Sequence, residues 1–152
     1  MKKTKLQINT VLKLKEELEE KIEHTEDSIQ KYNYTELSVS NLIERLEKLR
    51  NQLIIVKETL QEANQMKSKD KKSNNYYVYH LSNLNRTKKF YNNLLNDIVF
   101  NKDGEPQLKK EEVEARQRAI DEEIKDVKAT LSNFNRTKSV TIQIDETLDL
   151  NI

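Results

Sequence analysis

Leu6-Gln-Ile-Asn-Thr-Val-Leu-Lys-Leu-Lys-Glu-Glu-Leu-Glu-Glu-Lys-Ile-Glu-His-Thr-Glu-Asp-Ser-Ile-Gln-Lys-Tyr-Asn33 decides the fold. Within it Val11, Leu14, Leu18, Ile22, Thr25, Ile29 and Tyr32 recur at alternating spacings of three and four. That is the a/d seam of a coiled-coil helix, and charged residues fill its other faces. The spacing predicts a helix over 6–33, ended by the polar run Asn33-Tyr34-Thr35-Glu36.

The same register returns in the next stretch. Val39, Leu42, Leu46, Leu49, Leu53, Val56, Leu60 and Ala63 predict a second helix over 40–66. Ile43, Ile54 and Ile55 widen its apolar side, which suggests contact with more than one neighbour. Two helices of similar length on a short connection fold back as an antiparallel hairpin roughly 40 Å long, at about 1.5 Å per residue.

Residues 67–76 read as a polar, basic loop, with Tyr76, Tyr77 and Tyr79 clustered at its end. A third helix is expected over 78–98, on Leu81, Leu84, Lys88, Tyr91, Leu95 and Ile98. Lys88 stands where the seam should be apolar and where burying a charge is expensive. Asn101-Lys-Asp-Gly104 and Pro106 signal a turn. A fourth helix follows over 108–135, with Val113, Gln117, Ile120, Ile124, Val127, Leu131 and Phe134 as its seam. In the tail over 139–152, Val140, Ile142 and Ile144 alternate with polar residues, as in a strand that needs a partner. The expected fold is all-α and a single helical domain over 1–152. It has a long antiparallel helical hairpin, two further helices in a coiled-coil-like bundle, and a short strand-like C-terminal tail.

Composition agrees. Of 152 residues, 35% are hydrophobic and 35% charged, with one Gly, one Pro and no Trp, which suits long helices with narrow seams. Cysteine is absent, so disulfides and thiolate chemistry are excluded. A single glycine excludes a Gly-rich phosphate loop. The basic start Met1-Lys2-Lys3-Thr4-Lys5 lacks the apolar stretch of a signal peptide, and no apolar run is long enough to span a membrane, so a cytoplasmic protein of a bacterial host cell is expected. Only His24 and His80 are available as imidazoles, and Glu20 with His24 has no second Glu/His pair to complete a bundle metal site. No enzyme, no cofactor and no metal are expected.

One feature carries chemistry. Leu81-Ser-Asn-Leu-Asn-Arg-Thr-Lys88 returns as Leu131-Ser-Asn-Phe-Asn-Arg-Thr-Lys138. Each copy supplies an amide, a guanidinium, a hydroxyl and an ammonium, all suited to phosphate or carboxylate. As caps, the Asn and Thr suit helix ends, which accounts for the second copy better than the first. As a site, Asn85, Arg86, Thr87, Lys88, Asn135, Arg136, Thr137 and Lys138 converge on an anion while Tyr77 and Tyr79 stack on bases. Both copies are also formal Asn-x-Thr glycosylation acceptors, a coincidence of spelling in a chain without a secretory signal.

The order of elements resembles the septicolysin-like family of small helical bacterial and phage proteins, whose helix ends carry an aliphatic-x-x-x-Asn pattern followed by Thr or Asn. Leu60-Gln-Glu-Ala-Asn64 and Leu131-Ser-Asn-Phe-Asn135-Arg-Thr137 match it here. The resemblance implies a helical homo-oligomer with polar sites near its helix ends. The tyrosine-rich segment and the longer tail depart from it.

The functional expectation is a non-catalytic, oligomeric binding protein that sequesters a small phosphorylated ligand. A cyclic oligonucleotide immune signal would suit it, which would make the chain a phage sponge acting against host defence. The alternative is a structural or adaptor coiled coil that binds another protein. Near-neutral net charge argues against long nucleic acid as a partner.

Overall fold

The computed structural model describes residues 1–35, 38–67, 71–100 and 104–152. Strand β1 (Lys2–Gln7) leads into helix α1 (Ile8–Tyr32), followed by α2 (Ser40–Gln65), α3 (Asn74–Phe100) and α4 (Lys110–Thr137). Strand β2 (Ser139–Ile144) and a 3-10 turn, Glu146–Leu148, close the chain. The fold is mostly helical, with one two-stranded antiparallel sheet made from the two termini. It divides into a terminal unit, Met1–Met66 with Phe134–Ile152, and a central unit, Lys67–Asn133.

In the terminal unit the heptad seams meet as their spacing requires. Val11, Leu14 and Leu18 of α1 are buried with Leu49, Val56, Leu60 and Ala63 of α2 in one core. Thr25, also on the α1 seam, is buried with its hydroxyl donating to the Lys21 carbonyl at 2.7 Å. Arg50 Nη2 reaches Glu26 Oε1 at 3.0 Å and ties the two helices on the outside. Of the residues that widen α2, Ile55 packs against this core, whereas Ile43 and Ile54 are exposed.

The α1 helix begins at Ile8, two residues later than its spacing predicts, because residues 2–7 are extended. Leu6 pairs with Val140, Thr4 with Ile142 and Lys2 with Ile144. The tail's strand thus finds its partner in the start of the same chain. Leu6 and Val140 pack against the core that buries Ile142, Ile144 and Leu148, while Lys3, Lys5, Thr141 and Gln143 are exposed. The Ile8 amide, which has no partner inside its own helix, donates to the Lys138 carbonyl at 3.0 Å.

Gln52 is the polar exception in this core, with no exposed surface at all. Its Nε2 donates to the Gln143 carbonyl at 2.9 Å, and its Oε1 accepts from the Asp145 amide at 2.7 Å. A neighbouring strand would present the same donor and acceptor, so one carboxamide seals the edge of β2 that faces away from β1.

Beyond it, Asp145 caps the final turn. Its Oδ1 accepts from the Thr147 hydroxyl at 2.6 Å and from the Thr147 amide at 3.0 Å. Those two bonds, the hydroxyl's first, hold the carboxyl below its ordinary value of 3.8. The stabilisation is therefore complete above that value and is lost as pH falls through the lower folded value. Asp145→Asn keeps an acceptor oxygen and removes the titration, so urea unfolding at stepped pH is expected to show a shallower loss of stability below about pH 4.

The central unit is a second antiparallel pair. Leu84 of α3 is buried with Ile120, Ile124 and Val127 of α4, and Tyr77, Leu81, Tyr91 and Leu131 pack around them. Gln117 Nε2 donates to Asn92 Oδ1 at 2.7 Å farther along the pair. The α3 helix begins at Asn74 rather than 78 and runs to Phe100 rather than 98. Ser73 explains the early start: its Oγ accepts from the Tyr76 amide at 3.3 Å, as an N-cap serine does for the third helical residue. The basic loop expected over 67–76 therefore ends at Ser73, and its residues 68–70 lie outside the described residues. So do residues 101–103 of the expected turn. Gly104 has φ +117°, which side-chain-bearing residues rarely adopt. The α4 helix starts at Lys110 rather than 108, with Glu111 and Glu112 in its first turn, where the helix dipole favours carboxylates.

Candidate functional site

The two copies of Asn-Arg-Thr-Lys fall in different settings. Asn85–Lys88 lie within α3, in the central unit, whereas Asn135–Lys138 close α4 and belong to the terminal unit. Both copies use their apolar positions alike: Leu81 and Leu84, then Leu131 and Phe134, all contribute to cores at the spacing of one helical turn.

The polar positions of the first copy do not gather at one point. Consecutive helical residues are about 100° apart, so Asn85, Arg86, Thr87 and Lys88 are spread around the helix. The Thr87 hydroxyl donates to the Asn83 carbonyl at 2.9 Å within the same helix. Lys88 lies on the seam, and its Nζ reaches Asp121 Oδ1 of α4 at 2.8 Å with both side chains about half exposed. The seam is wet at that point, and the negative partner is the protein's own. A double-mutant cycle on Lys88→Ala and Asp121→Ala is expected to return about 0.2–1 kcal/mol in urea unfolding, shrinking with added salt.

Asn85 and Arg86 line a shallow surface groove of about 450 Å3 with Val78, Leu81, Ser82 and Lys89, all from α3. No carboxylate pairs with Arg86 or Lys89 among the described residues. In the second copy the Lys138 amide donates to the Phe134 carbonyl at 3.0 Å and the Lys138 carbonyl accepts from Ile8. The backbone of this copy thus makes the joint between α4, β2 and α1. Arg136, Thr137 and Lys138 are exposed and Asn135 is half-buried.

Tyr77 and Tyr79 do not share a face. Two residues apart on a helix they diverge by about 200°, so Tyr77 packs against the α3–α4 core while Tyr79 is 67% exposed. Tyr76 is the engaged aromatic. Its ring centroid is 4.5 Å from Lys72 Nζ, 5.2 Å from the Tyr77 ring edge-on, and 5.8 Å from the His80 ring, stacked at 23°. His80 Nε2 in turn lies 3.0 Å from Glu123 Oε1 of α4. Sequence reading did not find this chain from Lys72 to Glu123. Its signal was the spacing 76, 80, one turn apart on α3, with Lys72 just ahead of the Ser73 cap.

His24 lies on the surface beside Glu20, Glu23 and Asp27. Among the described residues, no group of three His, Asp or Glu side chains is placed to hold a metal ion, and no helix is long and apolar enough to cross a membrane.

No protein-family model, no curated protein and no solved structure matches the chain. Leu60–Asn64 lies in the last turns of α2 and Leu131–Thr137 in those of α4, with Leu60 buried in the terminal unit and Leu131 packed in the central one.

Proposed function

We propose that the chain is a non-catalytic helical binding protein that docks an acidic amphipathic helix of a partner protein along the outer side of α3. The observation behind this reading is how little of α3 its own fold covers. Leu84 is its only buried apolar residue, while Val78 is 42% exposed, Phe90 59% and Phe100 79%. A helix of this length with so narrow a covered stripe has apolar area left for a second neighbour. Charge favours an acidic one. Arg86 and Lys89 lie between those apolar side chains, and Asp97 is the only carboxylate in α3.

The test is titration of isotope-labelled full chain with a synthetic acidic amphipathic helical peptide, followed by amide NMR. Shifts are expected at Val78, Ser82, Arg86, Lys89 and Phe90. An Arg86→Glu/Lys89→Glu variant is expected to bind at least about tenfold more weakly, since about 1.4 kcal/mol separates those affinities. Unchanged affinity would remove the charge argument. Self-association of the chain through the same residues would replace the foreign partner with a second copy.

A second reading rests on the groove that holds Asn85, Arg86 and Lys89. In it the chain captures a small phosphorylated ligand, with a cyclic oligonucleotide as the fitting class and oligomer symmetry multiplying the site. A thermal-shift screen against cyclic di-, tri- and tetranucleotides separates it from the first. This reading expects a rise in Tm that an Arg86→Ala/Arg136→Ala double variant abolishes.

A further inference from the structure

The two edges of the terminal sheet are treated differently. The far edge of β2 is closed by the Gln52 carboxamide, bonded to both Gln143 and Asp145. No strand pairs with the far edge of β1 among the described residues. The alternation of antiparallel bonding says which groups are open there. Ile8 bonds to Lys138, and Gln143 turns its carbonyl away from β1 toward Gln52, so the pairs Lys2–Ile144, Thr4–Ile142 and Leu6–Val140 are the hydrogen-bonded ones. The N–H and C=O groups of Lys3 and Lys5 and the N–H of Gln7 therefore face outward, while the Gln7 carbonyl is taken by the first turn of α1. The side chains of Lys3 and Lys5 are exposed, and among the described residues neither is ion-paired. Thr4 and Leu6, on the opposite face, are half-buried toward the core.

We propose that this open edge of β1 receives an extended acidic segment of a partner polypeptide as a third strand. The surface is separate from α3 and does not depend on the reading given for it. Backbone pairing with Lys3, Lys5 and Gln7 supplies the attachment. Cross-strand neighbours stand about 5 Å apart on one face, so carboxylates two residues apart in the incoming strand meet the ammonium groups of Lys3 and Lys5. The residue between them faces the side of Thr4 and Leu6, where an apolar side chain fits. The recognised pattern is acidic–apolar–acidic in an extended chain. Lysines on an open edge also serve to keep strands from pairing unintentionally, and the test must separate the two roles.

The probe is a synthetic eight-residue peptide alternating glutamate with valine, added to the isotope-labelled full chain. Binding is expected to slow hydrogen exchange at the Lys3, Lys5 and Gln7 amides and to weaken at least tenfold in a Lys3→Glu/Lys5→Glu variant. The same peptide with N-methyl groups on alternate amides keeps its charge but cannot extend the ladder, and is expected not to bind. The proposal is overturned if the N-methylated peptide binds equally well, because attraction would then be charge alone. It is also overturned if exchange at β1 is unchanged. A Lys3→Thr/Lys5→Thr variant that self-associates while holding the peptide as tightly as before would assign the lysines a purely protective role, and would overturn it as well.

Discussion

Removal of residues 138–152 is expected to unfold the terminal unit. Ile142, Ile144 and Leu148 are all nearly fully buried in its core. Each contributes about 1.5–3 kcal/mol by leaving water, and together they approach the whole stability of a small domain. The loss does not stop at area. Without Lys138 the Ile8 amide has no acceptor, and without Gln143 and Asp145 the buried Gln52 carboxamide has no partners. β1 would be left as a lone strand, which is not stable in water. The check is circular dichroism of the truncated chain during thermal melting. A large loss of helix signal at room temperature is expected, and retention of a sharp transition at the parental Tm would exclude the essential role given to the tail.

Gln52→Ala is the point substitution with the largest expected effect. It removes a fully buried side chain and strands the Gln143 carbonyl and the Asp145 amide in one step. An unsatisfied buried polar group costs about 1–3 kcal/mol. Both groups lie where the sheet is only partly covered, so water recovers some of that cost, and a total of about 2–4 kcal/mol is expected. Gln52→Glu is the informative companion. It retains an acceptor for the Asp145 amide but presents an anion to the Gln143 carbonyl, and is expected to recover stability at low pH, where the carboxylic acid can donate. Urea unfolding of the three proteins at two pH values measures both effects. A cost below about 0.5 kcal/mol for Gln52→Ala would mean that the amide bonds contribute little.

The heptads made the helices legible because a seam at spacings of three and four has few other uses. The α2 bounds differ from the expected ones by a single residue at the C-terminal end. What escaped notice was set by partners distant in sequence or by a single cap. Lys2–Lys5 reads as a basic start, and Leu6 and Gln7 as the opening of the first helix, until Ser139–Ile144 is placed beside them, and the alternation of Thr4, Leu6 and Ile8 is too short to declare a strand alone. Gln52 looks like any exposed helical glutamine, since nothing local reveals that its neighbour is a strand edge 91 residues away. Ser73 was hidden in a polar run where any serine resembles a linker residue. Within the repeat, the apolar positions were readable as seam. For the polar ones, Lys88 showed its anomaly in the sequence, and only the antiparallel register of α3 and α4 supplied Asp121 to answer it.

That answer bears on function. A lysine already paired with the protein's own carboxylate, and a threonine bonded to its own helix, leave Asn85 and Arg86 as the outward groups of the first copy, beside Lys89 on an uncovered helical side. The most direct test is one amide NMR experiment on the full chain, with the acidic helical peptide and a cyclic dinucleotide added separately. Docking on α3 requires that the peptide shift resonances along Val78, Ser82, Arg86, Lys89 and Phe90 while the nucleotide leaves both repeat copies unmoved. Shifts at Asn85–Lys88 and Asn135–Lys138 with the nucleotide, and none along α3 with the peptide, would contradict it.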